Sequence, residues 1–318
     1  MDSGKITILG AGNVGSTTAA RLAAVGKERI CLYDSLHGLA VGKAMDICQA
    51  SMSTCCTAAE EVSEAIEDSE IVIISAGLPR AKGQKRADLF KGNSRIILDL
   101  GQTISEVCPD AFVLIVTNPV DALTTVFNRA FPEIRAYGMG CCLDAQRFRY
   151  FLSVEARVSA ESVKGLVIGS HNNNMVALTS LATINGKPAR EVLSEDQLDA
   201  VKKNTREAGT VIVSNLKQTG SYVAASNIIC EIATTALDGP DKVYPLNIQC
   251  NGEYGIDGCS AAVPVSIGQG ASSSVLQLQL EPGEQKALEN AAVGIKAVAD
   301  QVQYAALIRR RRETGTLG

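Results

Sequence analysis

The sequence predicts a doubly wound α/β domain, built on a parallel sheet, followed by a second, α+β domain. Two observations in the 318-residue chain support this prediction. The first part alternates short apolar β-type runs with segments of helical periodicity, which is typical of a parallel sheet covered on both faces. After about residue 143 longer helical stretches are mixed with isolated strand-like runs. We therefore predict one domain over residues 1–143 and another over residues 144–318.

The predicted elements follow the chain in a simple order. In the first domain we expect strands at residues 5–9, 29–33, 70–75, 111–116 and 135–137, with helices between them. The second domain is expected to contain a helix at 144–157, strand-like runs at 163–168 and 177–184, and a long helical stretch over 195–237. Strand-like runs at 258–267 and 275–280 precede a final helix that begins at Pro282. No linker separates the domains, so we expect them to pack closely.

Composition and charge narrow the possible function classes. The chain is 46% apolar with a formal net charge of −4, so we predict no nucleic-acid partner. No apolar stretch is long enough to span a bilayer and the first residues lack the features of a secretion signal, so we predict a cytoplasmic protein without membrane contact. In that compartment the ten cysteines are expected to be reduced. None of them forms a C-x-x-C pair, so no metal site is predicted.

A glycine-rich loop directly follows the first predicted strand. It fits G-x-G-x-x-G and consists of Gly10, Ala11, Gly12, Asn13, Val14 and Gly15. The first glycine permits a tight turn, the second lets backbone approach a pyrophosphate, and the third lets a helix pack on the strand. The second strand ends in Asp34, about 20 residues further on, where an acid binds a ribose 2′-hydroxyl and repels a 2′-phosphate. These features together predict a Rossmann-type site for NAD rather than NADP, although a surface Asp ending a strand is the structural alternative.

Four further segments carry side chains suited to an anionic substrate. The basic loop at residues 77–86 contains Arg80 and Arg86 and is suited to closing over a bound anion. Asn118 stands at the carboxyl end of a predicted strand, where ligands of open α/β sheets bind. Asp144 is three residues before an arginine on one helix face, and a polar segment around His171 follows a strand-like run.

Each of these segments also has a structural interpretation. The basic loop could be a solvated loop, and Asp144 with Arg147 could form a weak surface salt pair. A single histidine is more often structural than catalytic, and His37 is expected in a loop. The residues alone leave these alternatives open.

The motifs occur in an order that resembles the lactate and malate dehydrogenase family, most closely its lactate-dehydrogenase-like malate dehydrogenases. The resemblance spans nearly the whole chain and rests on these segments: GAGNVG, GLPRAKGQKR, VTNPVD, LDAQRFR, GSH and VPVSIGQG. It implies NAD as cofactor, malate and oxaloacetate as small-molecule substrates, and association into a homodimer or homotetramer. Lactate or another 2-hydroxy acid is the alternative substrate, and a weakly active NAD-binding homologue is the alternative function.

The resemblance also implies roles for individual residues. His171 is implied to be the proton donor and acceptor, Asp144 to orient it, and Arg147 to pair with the substrate C1 carboxylate. Arg86 is implied to polarise the reacting carbonyl, and Arg80 to bind a second carboxylate. Four further residues are implied to contact the cofactor, the last of them also the substrate oxygen: Asn93, Val116, Thr117 and Asn118.

The segment after His171 departs from the family pattern, which has Gly-Asp where this chain has Asn172 and Asn173. Asn is the non-glycine residue that best tolerates a positive φ, so we expect Asn172 to keep the backbone path. Asn173 carries no negative charge, so we expect the protonated imidazole to be less stabilised than in relatives with Asp there.

Overall fold

The computed structural model describes residues 4–78, 86–217 and 220–302, and at residues 86 and 87 the backbone alone. Arg80 therefore lies outside the described residues. Along the first part of the chain strands and helices alternate: β1 (Lys5–Leu9), α1 (Asn13–Ala24), β2 (Ile30–Tyr33), α2 (His37–Ser51), β3 (Cys56–Ala58), α3 (Val62–Ile66), β4 (Ser69–Ile74), α4 (Arg86–Val107), β5 (Phe112–Ile115), α5 (Val120–Ala130) and β6 (Ala136–Gly138).

The second part of the chain begins with a helix and mixes short strands with longer elements. The bounds are α6 (Cys142–Ala156), β7 (Val163–Lys164), β8 (Val167–Ile168), β9 (Val176–Ala177), β10 (Thr183–Ile184), β11 (Lys187–Pro188), α7 (Ala189–Val192), α8 (Glu195–Leu216), α9 (Val223–Asp238), β12 (Lys242–Asn251), β13 (Asp257–Gly268), β14 (Ser272–Val275) and α10 (Pro282–Ala299). Within the described ranges no helix combines the length and apolar composition needed to cross a membrane.

One large sheet runs through both parts of the chain. Its strand order is β14-β13-β12-β6-β5-β4-β1-β2-β3, and β1 to β6 are parallel to one another. The order reverses between β1 and β4, and ligands of doubly wound sheets bind at such a point, beyond the carboxyl ends of the strands. The strands β12, β13 and β14 extend the sheet in antiparallel pairing, and β12 joins β6 where Asn247 lies opposite Gly138. The predicted fold class is confirmed.

Strand β4 shows why the parallel strands contain continuous apolar runs. Ile71 and Ile73 belong to the hydrophobic cluster on one face of the sheet, whereas Val72 and Ile74 belong to the cluster on the other face. Successive side chains of a strand point to opposite faces, so a sheet covered by helices on both sides needs apolar residues at both.

Three expectations about the second part of the chain are wrong, and one strand was not predicted. The run expected at 275–280 is not a strand beyond Val275, where β14 ends. The stretch at 195–237 is not one helix: α8 ends where Lys217 takes φ 60° and ψ −37°, and α9 starts at Val223. The runs at 163–168 and 177–184 form only two-residue strands. Strand β12 was not predicted, because Pro245 interrupts its apolar pattern and a proline within a run argues against a strand.

Candidate active site

The glycine loop between β1 and α1 is tight at two positions and open at one. Gly10 has φ 111°, and a Cβ on Gly15 would lie 1.9 Å from the Gly10 carbonyl oxygen. A Cβ on Gly12 would meet no atom within 4 Å. A cavity of about 180 Å³ opens here, lined by Gly12, Asn13, Val14, Gly15, Ser75, Gly220, Ser221 and Tyr222. The loop therefore leaves free space beside the N-terminus of α1, where a pyrophosphate is favoured by backbone N–H groups.

A matched pair of alanine variants separates the two functions of this loop. Gly15→Ala should lower the free energy of unfolding by about 1–3 kcal/mol, because the added methyl collides with backbone. Gly12→Ala should leave stability nearly unchanged and weaken NADH binding by about tenfold or more, because its methyl enters the open space. Urea unfolding and fluorescence titration with NADH measure the two effects. Equal NADH affinity in Gly12→Ala and wild type would contradict the assignment of this space to the cofactor.

Asp34 lies beside the glycine loop at the end of β2. One carboxylate oxygen, Oδ2, accepts a hydrogen bond from the Ala11 N–H at 2.8 Å. The other, Oδ1, accepts from the Leu36 N–H at 3.0 Å. The side chain is partly exposed, so the structure brings a carboxylate to the edge of the predicted cofactor site.

Asn93 of α4 connects the segments that follow β4 and β5. Its side chain is buried; Nδ2 donates to the Asn118 carbonyl at 2.8 Å, and Oδ1 accepts from the Leu78 N–H at 2.8 Å. Val116 and Thr117 are also buried, and Thr117 Oγ1 donates to the Ala76 carbonyl at 2.6 Å. Asn93 thus connects the backbone that follows β4 to the backbone that follows β5. Asn118 itself is exposed at this edge.

The structure describes little of the basic loop at residues 77–86 that is expected to close over the substrate. Arg80 falls in residues 79–85, outside the described residues, and Arg86 opens α4 with only its backbone described. Their roles stay predictions that rest on the sequence.

His171, Asp144 and Arg147 form one contiguous group. His171 Nδ1 donates to Asp144 Oδ2 at 2.6 Å, and Arg147 Nη1 donates to Asp144 Oδ1 at 3.3 Å. Asp144 is fully buried, whereas the side chains of Arg147 and His171 are 12% and 19% exposed. The Nε of Arg147 is buried and has no hydrogen-bond partner among the described residues. A fixed carboxylate therefore holds a ring and a guanidinium that both keep access to an adjacent ligand.

Local structure explains how residues distant in sequence meet here. Asp144 and Arg147 lie one turn apart on α6, whose first turn follows β6 at the carboxyl edge of the sheet. The histidine segment follows β8, and Gly169, at φ 91°, pairs with Ala262 of β13 in an antiparallel bridge. The bridge directs the chain so that His171 lies over α6.

The pKa of His171 lies above its ordinary value. Burial lowers this pKa, but the Asp144 carboxylate raises it through its charge and its hydrogen bond, and Asp121 raises it further. Arg147 acts in the opposite direction and does not cancel the two acids. The protonated imidazole is therefore favoured at a pH above that expected for a free histidine.

Two buried polar residues at the site were not predicted. Asp121, in the first turn of α5, accepts a hydrogen bond from the His171 N–H at 2.9 Å, and Asn247 of β12 donates to the same carboxylate at 2.9 Å. Burial raises the pKa of Asp121 to about 6, partly offset by the charge of His171 and the hydrogen bonds from Asn247 and the His171 backbone. Asp121 belongs to the VTNPVD segment, but an acid in a helix first turn is common and gave no separate signal.

The expectation for Asn172 is wrong in its mechanism. Asn172 does not have a positive φ in the structure, so the chain does not need a glycine-like conformation there. Its side chain stabilises the turn instead, because Oδ1 accepts from Ser170 Oγ at 3.0 Å and from the Asn174 N–H at 2.8 Å. Such side-chain to backbone bonds are the usual way in which Asn forms a turn.

Comparison with known proteins identifies the family. Residues 4–138 match the model of the lactate/malate dehydrogenase NAD-binding domain, and residues 141–305 match that of the lactate/malate dehydrogenase α/β C-terminal domain. The chain belongs to the lactate/malate dehydrogenase family. The family resemblance expected from the motifs is confirmed, and this chain carries the NAD-binding domain of a family of oxidoreductases.

Individual members of the lactate/malate dehydrogenase family show how far the similarity extends. A malate dehydrogenase of Methanosarcina mazei is 36% identical over 298 residues, which cover 92% of this chain and 97% of the relative. The crystal structure of Cryptosporidium parvum malate dehydrogenase superposes with a TM-score of 0.88 at 28% identity, covering 95% and 99% of the two chains. A minor L-lactate dehydrogenase of Enterococcus mundtii reaches 0.89 at 27% identity with the same coverage. The fold alone therefore does not separate the two substrates.

Proposed function

We propose that this protein is a cytoplasmic, NAD-dependent malate dehydrogenase that interconverts malate and oxaloacetate. The observation that carries the proposal is the 2.6 Å contact between His171 and the buried Asp144, with Arg147 on the same carboxylate. A proton donor beside a guanidinium matches a 2-oxo acid, which needs a proton on its carbonyl oxygen and a partner for its carboxylate. Similar chains with the name malate dehydrogenase support the choice of substrate.

His171 supplies and removes the proton in the proposed reaction. In oxaloacetate reduction the protonated ring donates to the carbonyl oxygen at C2, and in malate oxidation the neutral ring accepts the hydroxyl proton. Asp144 holds Nδ1, so it is Nε2 that faces the substrate, and its negative charge favours the ring's protonated form. NAD, when bound, accepts or supplies the hydride.

The arginines fix and polarise the substrate. Arg147 pairs with the C1 carboxylate through its planar guanidinium, which sets the position of C2. Arg86, when the loop closes, polarises the C2 carbonyl, and Arg80 pairs with the second carboxylate that oxaloacetate carries. Asn118 contacts the substrate oxygen and the cofactor from the end of β5.

The glycine loop and its neighbours fit the proposed cofactor. The open space at Gly12 would accommodate the pyrophosphate, and Asp34 would accept hydrogen bonds from the adenosine ribose. Asn93, Val116 and Thr117, at the carboxyl ends of β4 and β5, would contact the cofactor. The proposed division assigns residues 1–143 to this cofactor domain and residues 144–318 to the substrate domain.

Asp34 predicts the choice between NADH and NADPH. Replacing Asp34 by Ser should narrow the preference for NADH, because the carboxylate that repels the 2′-phosphate is lost. Steady-state kinetics with both coenzymes on both proteins measures the change. A wild type that uses NADPH as well as NADH would contradict this role of Asp34.

Association into a homodimer or homotetramer is part of the proposal. Large apolar side chains are exposed along and beside α2: Leu36, Leu39, Met45 and Met52. Apolar surface of this kind is typical of a subunit interface.

An NADH oxidation assay with a series of 2-oxo acids tests the proposed function. Oxaloacetate should be reduced and pyruvate should be a poor substrate. A lactate dehydrogenase would show the reverse preference. A binding protein without activity would change NADH fluorescence without consuming NADH, which would contradict the proposal.

A further inference from the structure

Asp121 and Asp144 accept hydrogen bonds from different parts of His171. Asp144 accepts from the ring, whereas Asp121 accepts from the backbone N–H of the same residue at 2.9 Å. The side chain of Asp121 is almost completely buried, and its second oxygen accepts from Asn247 Nδ2 at 2.9 Å. The histidine is therefore held by a carboxylate at each end, one from α5 and one from α6.

Asn247 anchors Asp121 to the junction between the two parts of the sheet. It is fully buried and lies opposite Gly138, where β12 joins β6. A Cβ on Gly138 would come within 2.8 Å of Asn247 Oδ1, and a Cβ on Gly140 within 2.2 Å. Asn247 also donates to the Ser260 carbonyl at 3.3 Å. The Asn247 amide fits only because Gly138 and Gly140 leave room for it. Its own packing therefore fixes the position of the Asp121 carboxylate to which it donates.

Burying the Asp121 carboxylate has an energetic cost that the stability of the fold does not require. An apolar residue of similar volume would avoid the desolvation of a carboxylate, and burying an ionised group without compensation is costly. The N-terminus of α5 and the two hydrogen bonds offset part of that cost. The remaining cost is consistent with a role in the chemistry of the adjacent histidine.

We propose that Asp121 is a positioning residue that holds the backbone of His171 in place and adds a second buried negative charge at this residue. Among the described residues, the charged groups that act on His171 are Asp144 and Arg147 from α6 and Asp121 from α5. Those that act on Asp121 are His171 and Asp144. The kinetic part of this inference rests on the proposed function, whereas its effect on the imidazole does not.

Two substitutions separate the charge of Asp121 from its hydrogen bonds. Asp121→Asn removes the charge and keeps the shape, and its side-chain oxygen can accept from the His171 N–H. Asn247 Oδ1 has no hydrogen-bond partner among the described residues, so it can accept from the new N–H if the Asn247 amide turns over. Asp121→Ala removes both charge and hydrogen bonds. Asp196→Asn is the matched control, because Asp196 is an exposed acid in the first turn of α8.

Titration of the imidazole rings by nuclear magnetic resonance measures how the charge of Asp121 affects the protonation of His171. The chain contains only two histidines, so His37 provides an internal reference for His171. In Asp121→Asn the titration midpoint of His171 should fall by about half a pH unit or more, because an anion that favours the protonated ring is lost. The alkaline limb of the rate profile for oxaloacetate reduction should move to lower pH by a similar amount.

Asp121→Ala tests the positioning itself. Its kcat should fall by about tenfold to a hundredfold, since small displacements of a reacting group have effects of that size, while KM and NADH binding change little. Asp121→Asn should recover most of that loss at low pH. An unchanged His171 midpoint in Asp121→Asn, or a wild-type kcat in Asp121→Ala, would overturn the proposal. A wild type inactive with oxaloacetate would overturn the proposed function, and the ring titration would still decide the inference.

Discussion

Replacing His171 by alanine is expected to lower kcat for oxaloacetate reduction by about 10²–10⁴-fold and to leave NADH binding intact. In the proposed mechanism the ring donates the proton to the carbonyl oxygen. The other side chain bonded to Asp144 in the described part of the site is the Arg147 guanidinium, which stays protonated and does not replace it. The glycine loop proposed to bind NADH lies between β1 and α1, away from His171 in the sequence, so NADH binding should not depend on the imidazole ring. Stopped-flow or steady-state kinetics together with fluorescence titration of NADH measures both quantities.

Asp144→Asn provides the companion variant. The amide removes the negative charge that raises the pKa of His171, so the alkaline limb of the rate profile should move to lower pH and kcat should fall. His171 and Asp144 act as a unit, so the double variant should be scarcely worse than His171→Ala alone. Near wild-type turnover in His171→Ala, or additive effects in the double variant, would contradict the assigned roles.

Arg80→Gln is expected to cause the second large effect, a loss of selectivity for oxaloacetate over pyruvate. The resemblance matches this position to Arg in malate enzymes and Gln in lactate enzymes. Oxaloacetate carries a carboxylate that is costly to bury unpaired beneath a closed loop, whereas pyruvate leaves the guanidinium without a partner. A buried polar group left unpaired can discriminate on the order of 10⁴-fold.

The kcat/KM values for both substrates in wild type and Arg80→Gln measure this effect. The variant should lose activity with oxaloacetate and gain activity with pyruvate. Lys82→Gln is a suitable control, because it removes a positive charge from the same loop without removing a guanidinium. A wild type that prefers pyruvate, or equal selectivity in all three proteins, would contradict the assignment of Arg80.

Apolar runs were sufficient to predict five of the six parallel strands, β1, β2, β4, β5 and β6. Strands β4 and β5 are covered on both faces and contain continuous apolar runs, a pattern that can be recognised without knowledge of the fold. The edge strand β3 has three residues, too few for a period, and β12 contains Pro245 and several polar residues. Both were therefore invisible to the same criterion.

The site was predictable only in part, for a physical reason. Asp144 and Arg147 are one helical turn apart, so local spacing placed them together, but His171 is 27 residues from Asp144 and joined them only through the family resemblance. Asp121 and Asn247 are 126 residues apart, and only the buried hydrogen bond between them shows that they belong to the site. Contacts of this kind depend on the packing of β12 beside β6, which local pattern does not encode.

Transfer of deuterium from the cofactor tests the central claim most directly. NADH deuterated at both C4 positions should be oxidised by wild-type protein with oxaloacetate, and each malate formed should carry one deuterium at C2, with one NAD⁺ produced per malate. Mass spectrometry of the malate and absorbance of the NADH give the two amounts. Oxidation of the NADH without deuterium in malate, or no oxidation with oxaloacetate, would contradict the account.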